Sequence, residues 1–294
     1  MNHDPYYINR RAVRRSFSEA SANYDQFAVL QTEVRMRLLE RLEWQKSVPS
    51  VILDLGCGTG ISSKLLQKRY PKASVISMDA AYGMLQQVTH QRSVIKKLLG
   101  KKANSVCADA YQLPFKSHSI DLVFSNLMLQ WCDPPDAVFA EVRRVLKPSG
   151  VFMFASFGPD TLHELREAWA LVDQHTHVNR FIDMHDLGDA MIRAGMAEPV
   201  LDIERFTLTY SDVMGLMREL KVIGAHNVTA GRSSGLTSPG VIKRMAAAYE
   251  QYRREGVLPA SYEVVYGQAW GNDKMSLKVD GEVRIPIGHI GRRR

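Results

Sequence analysis

The sequence predicts an α/β fold built on a mostly parallel sheet of seven strands, with helices on both faces. Three observations support this prediction. Residues 51–55 form an apolar run that leads into a glycine-rich turn at 56–60, and a helical pattern follows the turn. Alternating strand and helix patterns then continue to residue 156, and such repetition produces parallel sheets. Hydrophobic residues make up 45% of the 294-residue chain, which is enough for a full core.

Each element is predicted from its own periodicity, in chain order. The expected strands cover residues 51–55, 73–78, 104–108, 119–125, 151–156, 203–210 and 260–270. The expected helices cover 17–42, a segment beginning at Ile61, a segment that carries Met84, and then 132–145, 161–172, 184–194, 213–222 and 242–252. Residues 1–15 are expected to be basic and loose, and 146–150 to form a turn. The predicted units are a helical cap at 1–45, a cofactor-binding core at 46–160, the remaining strands with helical lid insertions at 161–270, and a basic tail at 271–294.

Charge, cysteine content and hydropathy restrict the class of protein. The chain has 38 basic and 31 acidic residues and a net charge of +7, which favours an acidic partner. Its three cysteines match no metal-ligand spacing, so we expect reduced thiols, no metal site and a cytoplasmic location. No apolar run is long enough for a transmembrane helix, and residues 1–15 lack the apolar centre of a signal peptide. No membrane partner is therefore expected.

The glycine-rich turn reads Asp54-x-Gly56-x-Gly58-x-Gly60. A dinucleotide site needs a further glycine where Ile61 stands, and the carboxylate of Asp54 would repel a pyrophosphate. The same carboxylate suits a cationic ligand such as S-adenosylmethionine, which carries an ammonium and a sulfonium. The pattern resembles motif I of the Rossmann-like class I methyltransferases. A tight turn without a ligand is the alternative.

Further cofactor contacts are predicted at the carboxyl ends of the strands, where ligands of open α/β sheets bind. Asp79 closes the second strand and fits hydrogen bonding to ribose hydroxyls. Asp109 follows the third strand and fits the adenine amino group, and Met84 could flank the adenine, although simple helix packing is a rival role for it. The predicted cofactor residues are Asp54, Gly56, Cys57, Gly58, Gly60, Asp79, Ala80, Met84, Asp109, Ala110, Asn126 and Leu127.

Motifs beyond the turn are more specific. In chain order they are Ser125-Asn126-Leu127-x-x-Gln130-Trp131-Cys132, His177-x-Asn179-Arg180-Phe181, Leu220-Lys221-x-Ile223-Gly224-Ala225, Gly231-Arg232 and the strand at 262–267. Together they resemble the BioC family, the malonyl-acyl-carrier-protein O-methyltransferases of biotin synthesis, over residues 10–270. The basic segment at 90–103 and the tail after residue 271 depart from that family.

The resemblance implies that S-adenosylmethionine methylates the free carboxylate of a malonyl thioester, so that fatty-acid elongation can build a pimeloyl chain. The substrate arrives as malonyl-acyl carrier protein or malonyl-CoA. A carboxylate with a pKa of about 3.5 is already ionised at neutral pH, so no general base is needed. Tyr24, Trp131 and Phe181 are candidates for the wall of the methyl-transfer pocket. Arg180 or Arg232, with Lys221 behind them, would pair with the carboxylate, although each could instead form a structural ion pair or a surface charge.

Three other functions compete with this one. A methyltransferase of another small acid or of a quinone precursor would share the first 160 residues. A non-methylating relative, similar to the mitochondrial complex I assembly factor linked to arginine hydroxylation, would also keep motif I. A nucleic-acid methyltransferase would explain the charge, but Asn126-Leu127 and Trp131-Cys132 lack the Asn-Pro-Pro-aromatic and Pro-Cys motifs that it needs. No nucleic-acid partner is therefore expected.

Overall fold

The computed structural model describes residues 4, 6–45, 47–90, 104–232, 235 and 237–272, together with the backbone of 278–279 and 282–283. The basic segment predicted at 90–103 lies outside the described residues from position 91 onward, and so does most of the tail at 271–294. Two short strands, β8 (Lys278–Val279) and β9 (Glu282–Val283), pair with each other within that tail.

Three helices form the N-terminal region, so the single helix expected at 17–42 is wrong. They are α1 (Arg10–Ala20), α2 (Tyr24–Phe27) and α3 (Val29–Arg41), followed by a 3-10 turn at Leu42–Trp44. The chain leaves α1 at Ser21, whose hydroxyl donates to the Ser18 carbonyl oxygen (2.9 Å) and so competes with the helical hydrogen bonds.

The beginning of the chain is also more ordered than expected. Asn9 caps α1, because its side chain accepts hydrogen bonds from the backbone N–H groups of Arg11 and Ala12 (both 3.1 Å). Ile8 forms a β-bridge with Thr229. The expectation of a loose segment at 1–15 is therefore wrong from Ile8 onward, because a cap and a long-range bridge fix it.

The central sheet has seven strands in the order β3-β2-β1-β4-β5-β7-β6. Its members are β1 (Val51–Leu55), β2 (Ser74–Asp79), β3 (Ser105–Cys107), β4 (Ile120–Asn126), β5 (Leu146–Phe157), β6 (Ala197–Tyr210) and β7 (Leu258–Trp270). β7 runs antiparallel to both of its neighbours, whereas the pairs among β1 to β5 are parallel. The predicted α/β fold with a mostly parallel sheet is confirmed.

Helices connect these strands and cover both faces of the sheet. They are α4 (Ile61–Arg69), α5 (Tyr82–His90), α6 (Asp136–Val145), α7 (His163–Ala170), α8 (Met184–Arg193), α9 (Val213–Val222) and α10 (Pro239–Tyr249). Short 3-10 turns lie at Leu129–Trp131 and Glu250–Tyr252. Within the described ranges, no helix has both the length and the hydropathy needed to cross a membrane.

Several element boundaries differ from the sequence prediction. The turn expected at 146–150 belongs to β5, because Leu146 already pairs with Ile120 of β4 before an irregularity in the register. β6 begins at Ala197 rather than at residue 203. α10 begins at Pro239, where the side chain of Ser238 caps the N–H of Val241, a start signal that the sequence itself contains.

The core lies on both faces of the sheet, as a parallel sheet requires. Alternation along β5 sends Phe152 and Phe154 to one face, where both rings lie 6.0 Å from the ring of Phe139 on α6. Met153 faces the other side and belongs to the cluster that contains the fully buried Leu38 of α3. Because both faces of the sheet are covered, a ligand site is expected at the carboxyl ends of the parallel strands.

Candidate active site

The glycine-rich turn after β1 is fixed by its neighbour strand. The backbone N–H groups of Gly56 and Cys57 both donate to the Met78 carbonyl oxygen on β2 (2.8 and 2.9 Å). Gly56 has φ +72°, and a Cβ there would lie 2.3 Å from Cγ of Met128. Gly58 has φ +54°, and no described atom lies within 4 Å of the position that its Cβ would take. A ligand can therefore approach the main chain at Gly58.

Two buried carboxylates flank this turn. Asp54, 1% exposed, accepts a hydrogen bond from the Ser63 hydroxyl (2.5 Å). Burial raises the pKa of Asp54 to about 7, although the Ser63 hydrogen bond and the charge of Arg35 oppose the shift. Asp79 accepts from the N–H groups of Gly58 (2.9 Å) and Ala81 (2.7 Å), and burial raises its pKa too. A positive charge near the turn would favour the ionised form of both carboxyl groups, so the turn suits a cationic ligand.

A cavity opens at the carboxyl ends of β1, β2 and β4, beneath α1. Eleven of the predicted residues line it: Tyr24, Gly56, Gly58, Asp79, Ala80, Met84, Asp109, Ala110, Asn126, Leu127 and Trp131. Asp54, Cys57 and Gly60 do not. Asp54 and Cys57 are buried behind the turn, and Gly60 faces α5, where a Cβ would lie 2.8 Å from Val88. Direct contact of these three with a ligand is therefore not supported.

Arg10 of α1 covers the β3 side of the cavity. Its guanidinium lies 3.7 Å from Oδ2 of Asp109 and 4.6 Å from the ring centroid of Tyr111. The other oxygen of Asp109 accepts from the Tyr111 N–H (3.2 Å). Asp109 therefore lines the cavity as predicted, but it already has a cationic partner on α1, the helix that forms the lid of this cavity.

The end of β4 supplies an acceptor without a donor. Nδ2 of Asn126 donates to the Gln31 carbonyl oxygen (3.1 Å), whereas its buried Oδ1 has no hydrogen-bond partner among the described residues. The next residue, Leu127, has φ +52°, which is uncommon for a residue with a side chain. Both line the cavity, so the strand end presents a buried oxygen that a ligand N–H could satisfy.

An aromatic wall closes the other side. The ring of Phe17 lies edge-on to Trp131 (5.3 Å) and to Tyr24 (6.4 Å). Burial raises the pKa of Tyr24 to about 12, so the phenol stays protonated at neutral pH. Arg35, 6% exposed, lies in the same region, and burial lowers its pKa although the charge of Asp54 favours its protonated form.

The three cations predicted for the substrate lie elsewhere. Arg180 is exposed and lines neither this cavity nor the one described next. Lys221 lines a second cavity, next to His226, and Arg232 lies close enough to His226 to affect its pKa. The sequence motifs that carry these residues therefore come together in space, but not in the lining of the first cavity.

The sequence predicted a helical cap at 1–45 but not that the first turns of α1, before residue 17, line the cavity. Arg10, Val13, Arg14 and Phe17 all line the cavity. Their spacing of three and four residues puts them on one helical face, and that periodicity was a usable signal. Within the described part of the chain, no group of three His, Cys, Asp or Glu side chains could hold a metal ion.

Comparison with known proteins identifies the family. A model of the methyltransferase domain matches residues 53–154. A malonyl-acyl-carrier-protein O-methyltransferase of Methylovorus sp. is 52% identical over 98% of this chain and 95% of its own length. Another, of Halorhodospira halophila, is 48% identical over 99% of this chain and 98% of its own. The chain belongs to the malonyl-acyl-carrier-protein O-methyltransferase family.

A solved structure supports the fold independently. The YcgJ protein from Bacillus subtilis aligns with 81% of this chain and 99% of its own, with a TM-score of 0.55 and 14% identity. At that identity the match speaks for the shared fold alone. The similarity to the O-methyltransferase family, by contrast, extends over both cavities and the motifs of the second half.

Proposed function

We propose that this protein transfers the methyl group of S-adenosylmethionine to the free carboxylate of a malonyl thioester, the step that starts pimeloyl synthesis for biotin. The observation that carries the proposal is the near full-length similarity to O-methyltransferases of this name. The geometry of the first cavity agrees with it, because cation-binding carboxylates and an aromatic wall meet at one edge of the sheet.

The residues of the first cavity fit S-adenosylmethionine. Asp79 is held by two backbone N–H groups at the position where ribose hydroxyls could share its oxygens. The buried Oδ1 of Asn126 suits the ligand ammonium, and the charge of Asp54 favours a cation through space. The open face of Gly58 admits the ligand backbone. When bound, this cofactor supplies an electrophilic methyl group on a sulfonium.

Catalysis rests on positioning by the chain, because the substrate carboxylate is already ionised and needs no base. Phe17, Tyr24 and Trp131 exclude water from one side of the cavity. The low dielectric that these three rings produce would favour a reaction in which a negative and a positive charge cancel. Tyr24 stays neutral, so its hydroxyl can donate a hydrogen bond to a substrate oxygen.

The substrate carboxylate needs a cation, and Arg14 is the better candidate on geometry. It lines the first cavity, and within the described residues no acidic side chain pairs with it. Arg180 lacks access to that cavity. Since methylation removes the negative charge, an arginine at this place would hold malonate and release its ester.

We propose that the carrier of the substrate is the acyl carrier protein named by the relatives. Carrier proteins are acidic, and the net charge of this chain is +7. The sequence leaves the basic segment at 90–103 open between a solvated surface and a docking site for this partner, and the segment lies outside the described residues from 91 onward. A cytoplasmic location, where such carriers reside, is part of the same proposal.

Mass measurement of the product tests this function. Purified protein is incubated with S-adenosylmethionine and either malonyl-carrier or acetyl-carrier protein. The proposal predicts the gain of one methyl group by the malonyl form and none by the acetyl form, which has no free carboxylate. Methylation of neither form, or of both, would contradict it.

A further inference from the structure

A second cavity is lined by residues from the segments 162–181 and 217–227. Phe181 in its wall packs edge-on against Phe157, the last residue of β5, at 5.6 Å. β5 is hydrogen-bonded to β4, whose end at Asn126 lines the first cavity. The two cavities therefore lie over the ends of adjacent strands. The family motifs around Asn179 and Lys221 line the second one.

One buried polar group in this cavity is unsatisfied. Asn179 is 4% exposed, and its Oδ1 has no hydrogen-bond partner among the described residues. Its polar neighbours are satisfied, since Asn227 donates to the Thr176 carbonyl oxygen and His177 contacts Asp173 (2.8 Å). A buried acceptor without a donor is unfavourable, because it has lost its hydrogen bonds to water without gaining another. The site therefore calls for a ligand that donates a hydrogen bond.

The rest of the lining is partly apolar and partly basic. Leu162, Leu165 and Met217 contribute hydrocarbon surface, and Lys221 and His226 contribute the basic part. Arg232 follows Gly231, whose carbonyl oxygen accepts a hydrogen bond from the N–H of Thr176 (3.3 Å), the residue before His177 in the wall. Lys221 and Arg232 are both exposed. The ligand should thus be a partly apolar chain with an N–H inside and an anionic group outside.

The second cavity is also connected to the lid of the first. The hydroxyl of Ser16 on α1 donates to the Gly224 carbonyl oxygen (3.0 Å) and lies 3.1 Å from Nδ1 of His226. α1 carries Arg14 and Phe17 on the face that lines the first cavity. A chain bound in the second cavity would therefore have its inner end close to the methyl-transfer site.

We propose that this cavity binds the phosphopantetheine arm of the malonyl thioester, with an amide N–H of the arm donating to Asn179 and its phosphate paired with Lys221 and Arg232. This assignment rests on the proposed function, and it gives the arm a binding site separate from the methyl-transfer cavity. Phosphopantetheine is common to carrier proteins and coenzyme A, so the cavity recognises the arm whichever molecule presents it.

The test compares kcat/KM for four malonyl thioesters: those of ethanethiol, pantetheine, coenzyme A and the carrier protein. We expect Asn179→Leu, which conserves volume, to lower kcat/KM at least tenfold for the three substrates with an arm and to leave the ethyl thioester unchanged. The thermal midpoint should stay level or rise, because the unsatisfied acceptor is gone. Equal kcat/KM of the variant and the wild type for the armed substrates would overturn the assignment, and so would an equal loss for all four.

The phosphate contact is tested separately. We expect the wild type to have a higher kcat/KM for malonyl-CoA than for malonyl-pantetheine, which lacks the phosphate. The double variant Lys221→Ala, Arg232→Ala should lose this difference. Arg218 is an exposed residue of α9 outside the cavity lining, and Arg218→Ala should keep the difference. An unchanged preference in the double variant would place the phosphate elsewhere.

The wild type separates the two proposals. If it methylates none of the four thioesters, the proposed function fails, and this assignment fails with it. If it methylates the ethyl and the carrier thioesters with equal kcat/KM, the function stands and the arm site is refuted.

Discussion

At the residue scale, the electrostatics of Asp54 decide how the cofactor site responds to pH. Its pKa is raised from 3.8 to about 7 by burial, so the folded protein without ligand holds this proton more tightly than the unfolded chain does. The stability contributed by that protonation is fully present below pH 3.8 and is lost as pH rises through about 7. A cation in the cavity reverses the balance, since it favours the ionised carboxylate.

The first prediction follows from this linkage. S-adenosylhomocysteine, which carries the same ammonium, should bind more tightly as pH rises from about 5.5 to 7.5, with release of a proton from Asp54. Calorimetry in buffers of different ionisation enthalpy measures that proton. Asp54→Asn should bind more weakly at pH 7.5 and lose most of the pH dependence. A wild-type affinity that is flat with pH would refute the role of Asp54.

The second prediction concerns the substrate carboxylate. Arg14→Ala should lower kcat/KM for malonyl thioesters about tenfold, because the substrate carboxylate loses a charge-assisted hydrogen bond worth roughly 1.5 kcal/mol. Affinity for S-adenosylhomocysteine should not change. Arg14→Lys should retain part of the activity, since it keeps the charge without the planar fork.

Two neighbouring variants make that test specific. Arg11→Ala, on α1 but outside the cavity lining, should behave as the wild type does. Arg180→Ala tests the assignment that the sequence motif favoured. If it loses turnover while Arg14→Ala does not, the motif was the better guide and the geometric argument is wrong.

At the element scale, the fit of α1 against α5 positions the lid. Gly83 of α5 lies so close to α1 that a Cβ would be 2.5 Å from the carbonyl oxygen of Ser18. Its N–H lies 3.4 Å from the Ser18 hydroxyl. A glycine is needed there because no side chain fits between the two helices.

The third prediction tests this contact. Gly83→Ala should push α1 away from the cavity, destabilise the protein by roughly 1–3 kcal/mol through overpacking, and raise the dissociation constant of S-adenosylhomocysteine. Gly188→Ala in α8 is the matched control. Its Cβ would meet Leu201 at 3.4 Å, away from the cavity, so the change should leave cofactor affinity unaltered. Equal affinities of the two variants would show that the lid does not depend on Gly83.

Local patterns predicted some elements better than others. The bounds of β1 and α9 agree with the sequence. An apolar run between Ser50 and Gly56, and an amphipathic stretch after Asp212, leave little freedom for either element. The start of α1 at Arg10 was not predicted, because its first turns contain arginines at 10, 11, 14 and 15 and few apolar residues that would show a helical period. The positions of Asp79, Asp109 and Asn126 could be predicted, since strand ends share one edge of the sheet. The location of Arg180 could not, because it depends on how the inserted helices pack.

At the scale of the whole molecule, charge should govern the encounter with the carrier. The net charge of +7 predicts electrostatic steering of an acidic partner. The fourth prediction is that kcat/KM for malonyl-carrier protein falls steeply as salt rises, whereas that for malonyl ethyl thioester hardly changes. Equal salt dependence for the two substrates would exclude steering by the protein surface.

The most direct test of the central claim is the chemical position of the transferred methyl group. S-adenosylmethionine labelled with carbon-13 in its methyl group is incubated with the protein and malonyl-carrier protein, and the product is observed by NMR. The account predicts one labelled resonance of a methyl ester, which disappears on mild alkaline hydrolysis as labelled methanol forms. A labelled methyl group on carbon, nitrogen or sulfur, stable to that hydrolysis, would contradict it.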